Sequence, residues 1–239
     1  QVRKMILAYL SDINESRFKL GNFTNEEKKI LGQAADIMEK YQDNLILVKM
    51  PNPNIELVKT IVRENCLTKD IGYVFYDYIF SSPGLLAEFR DLRIREDVAL
   101  GMLSTALKDL AVELDVFMRS ATQVNGDLQE IKGIRDQRCI RGAKAIADKI
   151  DCGMIMLEVS QEDLTALDTL IKKEGFEQPT IKISVYKNRR GRYKSVLLWC
   201  KANRGICRIE PMFMTNYQYQ LIPIEDLKIN VKPREESAF

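Results

Sequence analysis

The run Ile71 to Phe80, IGYVFYDYIF, constrains this chain more than any other stretch. Almost unbroken apolar and aromatic residues end on a single acidic one, Asp77, and Ser81, Ser82, Pro83 and Gly84 follow soon after. Strands of open parallel sheets are covered on both faces, so they lose the in/out alternation and read as continuous Val, Ile, Phe and Tyr runs. Ligands bind outside the carboxyl ends of such strands. The pattern therefore predicts a buried strand that delivers a carboxylate. A carboxylate in that place suits a hydrated Mg²⁺ on nucleotide phosphates, because Mg²⁺ is commonly held by one or two carboxylates plus phosphate oxygens. The plainer alternative is a strand that stops at a surface Asp.

The absence of histidine from all 239 residues removes His-based acid–base catalysis, a serine triad and mixed Cys/His zinc sites. Chemistry carried by positioning and charge, as in phosphoryl transfer, survives that exclusion. Five scattered cysteines without a C-x-x-C pair cannot form a closed set of disulfides and read as reduced core residues. Net charge is only +2, so affinity for nucleic acid has to come from local clusters of Lys and Arg. No apolar run approaches the ~20 residues of a membrane-spanning helix, and a cytoplasmic protein is expected. Gln1 opens directly into the helical pattern VRKMILAYLSDI, which suggests a piece of a longer protein.

Along the chain, Val2 to Ile13 and Thr24 to Tyr41 have helical periodicity, the second opened by the capping box Thr24-Asn25-Glu26-Glu27. Asn44 to Met50, NLILVKM, reads as a strand, and with the helix Asn54 to Cys66 and the strand ending at Asp77 it predicts a βαβ unit. Leu100, Leu103, Leu107, Leu110 and Leu114 form one helical stripe. A strand from Val116 to Ala121 ends in Thr122, Gln123 and Asn125; a loop from Gly126 to Cys139, a short helix from Arg141 to Ile150 and a strand from Met154 follow. Ser160 opens another helix, and three β-like runs beginning at Thr180, Ser195 and Ile206 predict antiparallel hairpins. Residues from Ile222 onward read as a loose tail.

The turn Lys187 to Lys194, KNRRGRYK, carries five basic residues in eight. Lys187 and Arg189 stand two apart on an extended chain and so share a face. Such a tip is either a solvated hairpin end or a phosphate grip acting on a neighbouring molecule, as an arginine finger does.

Taken in order, FYDYIF, LKDLAVELDV, SATQVNG, IRGAKAIADKIDCGMIML and SVYKNRRGRYKSVLLW resemble the second half of the RecA-like motor domain of DnaB-type replicative helicases. The resemblance covers about residues 1 to 215, leaving 216–239 as a C-terminal extension or tail. It implies an α/β RecA-like fold, with a mostly parallel sheet flanked by helices and finishing in antiparallel hairpins. It further implies an ATP- and Mg²⁺-dependent hexamer that moves on single-stranded DNA, in bacteria or phage, with a primase or helicase loader as partner and no membrane. Asp77 matches the Walker B aspartate that holds Mg²⁺, and Gln123 the glutamine that senses the γ-phosphate. Lys187 and Arg189 match the pair that reaches the neighbouring subunit's nucleotide. Arg141 and Lys144 fall in the channel-facing segment that touches the DNA backbone, with a solvated helix start as the bland alternative; Arg135 and Arg138 are the next candidates.

The chain departs from the family pattern at Phe80, where the family has Gln, and at Gly142, where it has an acidic residue. Neither the P-loop nor the catalytic glutamate is within the sequence, so the chain alone is expected not to hydrolyse ATP. A rival expectation is a non-catalytic RecA-like module that binds a helicase partner or DNA.

Overall fold

The computed structural model describes residues 2–92, 94–123 and 143–223. Helix α1 (Val2–Ser11) packs on α3 (Asn25–Lys40), with the single turn α2 (Arg17–Leu20) between them. The start of α3 is set locally: the Thr24 hydroxyl accepts from the Glu27 amide, and the Glu27 carboxylate accepts from the Thr24 amide at 2.7 Å. Each satisfies one of the otherwise orphaned N–H groups of the helix entrance. Arg208, far along the chain, ties α1 down by donating to the Tyr9 carbonyl and pairing with Asp12.

Helix α4 (Ile55–Lys69), capped by the Asn54 side chain, leads to strand β1 (Tyr73–Ile79). Helix α5 (Pro83–Glu88) starts at Ser82, whose buried hydroxyl accepts from the Leu85 amide and donates to the Pro53 carbonyl. Helix α6 (Glu96–Glu113) then carries the chain back to β2 (Phe117–Thr122), which lies parallel to β1. The leucine stripe of α6 faces inward as its spacing requires: Leu100, Leu103, Leu107 and Leu110 are buried in one core with Val58, Tyr76, Ile79 and Leu85.

Two expectations fail in this half. The run 44–50 forms no strand; after a 3-10 turn it passes beside α1 and α3, with Leu45, Leu47 and Val48 each about half exposed. A strand is held by its ladder, and among the described residues no chain pairs with this one. The parallel crossover is therefore β1–α6–β2 rather than one through α4. Nor is β1 covered on both faces. Tyr76 and Ile79 are buried against the helices, while Tyr73 and Phe75 on the opposite face are 70% and 66% exposed, Tyr73 lying against the half-exposed ring of Phe117 on β2. Its apolar run suits a two-faced burial that the described residues supply on one face only.

Tyr76 contributes a small defect to the core. Its ring is buried, yet its hydroxyl meets no hydrogen-bond partner among the described residues, and burial pushes its pKa up. An unsatisfied buried hydroxyl costs about 1–3 kcal/mol. Tyr76→Phe is therefore expected to leave stability unchanged or raise it by about 1 kcal/mol in urea unfolding; a loss of more than that would mean the hydroxyl has a partner in solution.

The second half begins with α7 (Ala143–Lys149), β3 (Cys152–Glu158) and α8 (Gln161–Glu174), and continues with β4 (Ile181–Asn188), β5 (Val196–Asn203), β6 (Arg208–Asn216) and the short β7 (Leu221–Ile222). The five strands form one antiparallel sheet in chain order. Strand order continues past residue 215, since β6 ends at Asn216 and a turn returns β7 to it; 224–239 lie outside the described residues. Helix α8 has the expected capping box at Ser160 and Asp163 and ends at Gly175, whose φ of 72° is the left-handed conformation that glycine adopts without penalty. It packs Leu167 onto Leu197, Trp199 and Phe213. Of the cysteines, all four described are free, but only Cys200 is buried and Cys152 is exposed, so the core assignment fails for Cys152.

The sheet face under α8 also buries an ion pair. Lys182 on β4 pairs with Asp163, which additionally accepts from the Ser160 amide and hydroxyl and from the Tyr219 hydroxyl at 2.9 Å. Lys182 is 7% exposed and Asp163 1%.

Candidate functional site

The carboxyl ends of β1 and β2 lie side by side because the strands are parallel and in register from Tyr73↔Phe117 onward. The register shifts between Tyr76 and Ile79, at the turn of chain that presents Asp77, and the Asp77–Tyr78 peptide is cis. Side chains of β2 stitch this irregular end: Ser120 donates to the Tyr76 carbonyl at 2.7 Å and Thr122 to the Ile79 carbonyl at 3.2 Å. Asp77 is exposed. Gln123, directly after β2, is exposed too, and its amide donates to the Tyr78 hydroxyl at 3.3 Å. A carboxylate and a carboxamide from two different strands thus open onto one rim.

Tyr78 is the residue of this rim that the sequence did not single out; its signal was adjacency to Asp77. Phe80, the departure from the family pattern, packs its ring on Tyr78 with centroids 5.4 Å apart. Below the rim, Ser81 bonds to the Glu96 carboxylate at the start of α6. Among the described residues no cluster of three or more His, Cys, Asp or Glu side chains could hold a metal by itself. Hard oxygen from the single Asp77 carboxylate fits a mostly hydrated Mg²⁺ that brings further ligands from a nucleotide.

Lys187 and Arg189 are together, but elsewhere. Lys187, at the end of β4, reaches the last turn of α7 and donates to the Ala147 carbonyl, with Asp148 O at 3.4 Å. Arg189 donates from its terminal nitrogen to the Asp148 carbonyl at 3.0 Å, and its other terminal nitrogen is 3.6 Å from the Asp151 carboxylate. Two cations therefore meet the carbonyl end of α7, where the helix dipole favours positive charge. Desolvation there lowers the Lys187 pKa, as does the Arg189 charge. The turn beyond is braced by Asn188, which accepts from the Gly191 amide at 2.8 Å and donates to the Tyr193 carbonyl at 2.9 Å. A Cβ on Gly191 would fall 1.9 Å from the Asn188 amide nitrogen, so only glycine fits that bend unshifted.

Asp151, between α7 and β3, is the second residue that sequence reading passed over. It binds Lys108 of α6 and faces Arg189, and the Lys108 contact, ahead of the Arg189 and Arg190 charges, holds its carboxyl below the usual range. Of the nucleic-acid candidates, Arg135, Arg138 and Arg141 lie outside the described residues. Lys144 falls in the first turn of α7, its side chain outside the description. No helix among the described residues is long and apolar enough to cross a membrane.

Residues 1–205 match the family model of the DnaB-like helicase C-terminal domain. The SPbeta prophage-derived uncharacterized protein YorI of Bacillus subtilis (strain 168) is 34% identical over 238 residues, which is 97% of this chain and 46% of the relative. The chain thus spans about half the length of that curated relative. A DnaB-like replicative helicase, solved for its interactions with primase, superposes with a TM-score of 0.65 at 15% identity, over 87% of this chain and 46% of that one. A solved ATPase domain gives the same score and identity, and the chain covers 68% of it. Both show the same RecA-like α/β fold.

Proposed function

Because the chain belongs to the family of DnaB-like helicase C-terminal domains, we propose that it is part of the motor of a ring-shaped, ATP-dependent replicative DNA helicase that translocates on single-stranded DNA. The observation that carries this reading is the common rim of Asp77 and Gln123 at the ends of two parallel strands, with a basic pair, Lys187 and Arg189, on a separate turn. In this reading Asp77 holds the Mg²⁺ of a bound ATP, which supplies charge neutralisation at the phosphates. Gln123, steadied by Tyr78, answers to the γ-phosphate. Arg189, with Lys187 at its base, serves the nucleotide of the neighbouring subunit in a hexamer. Positioning and electrostatics suffice for phosphoryl transfer, so a site without histidine is adequate.

Arg135, Arg138, Arg141 and Lys144 are proposed to contact phosphates of the strand, without base readout. A primase or a helicase loader is the proposed protein partner, and the cytoplasm of a bacterium, infected or lysogenic, the proposed location; the prophage origin of YorI supports it.

The test is ATP hydrolysis by the full-length protein with and without single-stranded DNA. Turnover stimulated by DNA and reduced at least ~100-fold by Asp77→Asn is expected, since removing a Mg²⁺ carboxylate strikes the charge-stabilising term of the reaction. Full-length protein that binds DNA yet hydrolyses no ATP under any condition would make this a non-catalytic RecA-like module.

A further inference from the structure

The direction in which the Arg189 guanidinium points is set by contacts at its two terminal nitrogens. A bidentate grip on phosphate takes two N–H donors from one edge of the guanidinium plane. Both terminal nitrogens of Arg189 are turned to its own subunit, one to the Asp148 carbonyl at 3.0 Å and the other toward the Asp151 carboxylate at 3.6 Å. The group is half exposed, so neither contact is strong and both can be exchanged. Lys187 differs: its ammonium faces two successive carbonyls at the end of α7, and the Arg189 amide donates to the Asp151 carbonyl at 2.9 Å. The base of the turn is thus fixed by contacts that do not involve the Arg189 side chain.

We propose that Asp151, together with the last carbonyls of α7, is a resting seat for the Arg189 guanidinium, so that Asp151 is a positioning residue and Arg189 must exchange this seat for the phosphate oxygens of a nucleoside triphosphate on the adjoining subunit. The proposal rests on the reading of Arg189 as acting in trans. Lys187 stays as the hinge-side anchor while the guanidinium moves. Asp151 is itself paired with Lys108 of α6 through its other carboxylate oxygen, so the carboxylate keeps a partner when the arginine leaves. The seat draws the guanidinium charge toward its own subunit in competition with the phosphate, and it therefore restrains hydrolysis at an assembled interface for as long as the arginine stays in it. Asp151→Asn is the sharpest probe because it keeps size and the backbone bond to the Arg189 amide, and removes only the charge.

The experiment uses the full-length protein and reads two quantities: ATP turnover without DNA and at saturating single-stranded DNA, and site-resolved phenylglyoxal modification of Arg189 by mass spectrometry. Asp151→Asn is expected to raise DNA-free turnover and Arg189 modification by about two- to fivefold each, the size of one half-exposed ion pair, and to leave turnover at saturating DNA within about twofold. Lys108→Met, which breaks the outer pair but leaves the carboxylate facing Arg189, is expected to raise neither. If Asp151→Asn changes neither quantity while Arg189→Ala abolishes turnover, the seat is wrong and the trans reading stands. If Arg189→Ala turns over like wild type, the trans reading falls and the proposal with it, whatever the modification rate. A rise with Lys108→Met equal to that with Asp151→Asn also overturns the proposal, since loosened packing on α6 would then explain both.

Discussion

Arg189→Ala in the full-length protein is expected to cut ATP turnover by a factor on the order of 10³ while leaving nucleotide binding nearly intact. The size follows from the role: a cation added in trans neutralises charge that develops in the transition state, so its loss appears in kcat rather than in binding. Among the described residues the half-exposed guanidinium is tied to its own fold by two weak contacts, so truncation should cost little stability. Mixed assemblies separate trans from cis action. Subunits with Arg189→Ala and subunits with Asp77→Ala are each expected to be inactive alone, whereas a mixed interface would pair an intact carboxylate with an intact arginine. Partial recovery on mixing is the expected result, and a mixture no better than its components would place Arg189 in the same subunit's site or outside the chemistry.

The largest effect on stability is expected at the buried pair under α8. Lys182→Met leaves the Asp163 carboxylate, 1% exposed, without its ammonium, and Asp163→Asn leaves the Lys182 ammonium without its carboxylate. Breaking a buried pair from one side costs about 3–5 kcal/mol, because the remaining charge stays desolvated after losing its counter-ion. Removing both charges costs less than the sum, with a coupling of about 2 kcal/mol expected in a double-mutant cycle read by urea unfolding. Additive losses would mean the two charges are solvated separately. Burial by itself pushes the Asp163 carboxyl up, but the Lys182 contact and the Ser160 bonds outweigh it, and the carboxyl lies below its ordinary value. A depressed folded value stabilises the protein above the unfolded value of about 4, and that stability is lost as pH falls through the lower folded value. Wild type should therefore lose more stability than Asp163→Asn between about pH 4 and pH 2; parallel losses would rule out this carboxyl as the cause.

Much of the chain was legible because its signals are local. A capping box such as Thr24 with Glu27 closes within four residues, and the leucine stripe of α6 needs only helical spacing. Asp77 and Gln123 could be named because strand ends followed by polar residues are themselves sequence features, and the common rim then follows from parallel pairing. Lys187 and Arg189 share a side because extended chain alternates its side chains.

What the sequence could not determine depends on partners remote in the chain. The run 44–50 has strand composition and no ladder, and β1 has the texture of a strand covered twice with one face left open. Composition states what a segment tolerates, whereas pairing and burial are supplied by other segments. Lys182 and Lys187 lie five residues apart on β4 and look equivalent as letters, yet one is buried against Asp163 beneath α8 and the other meets the end of α7. Asp151 gave no signal because its meaning arises only where α6, α7 and the basic turn converge. Local propensity and periodicity set most of the elements and the residues able to carry charge chemistry; the tertiary structure alone decided which charges are buried and which are held, because electrostatic roles depend on distance and desolvation rather than on sequence order.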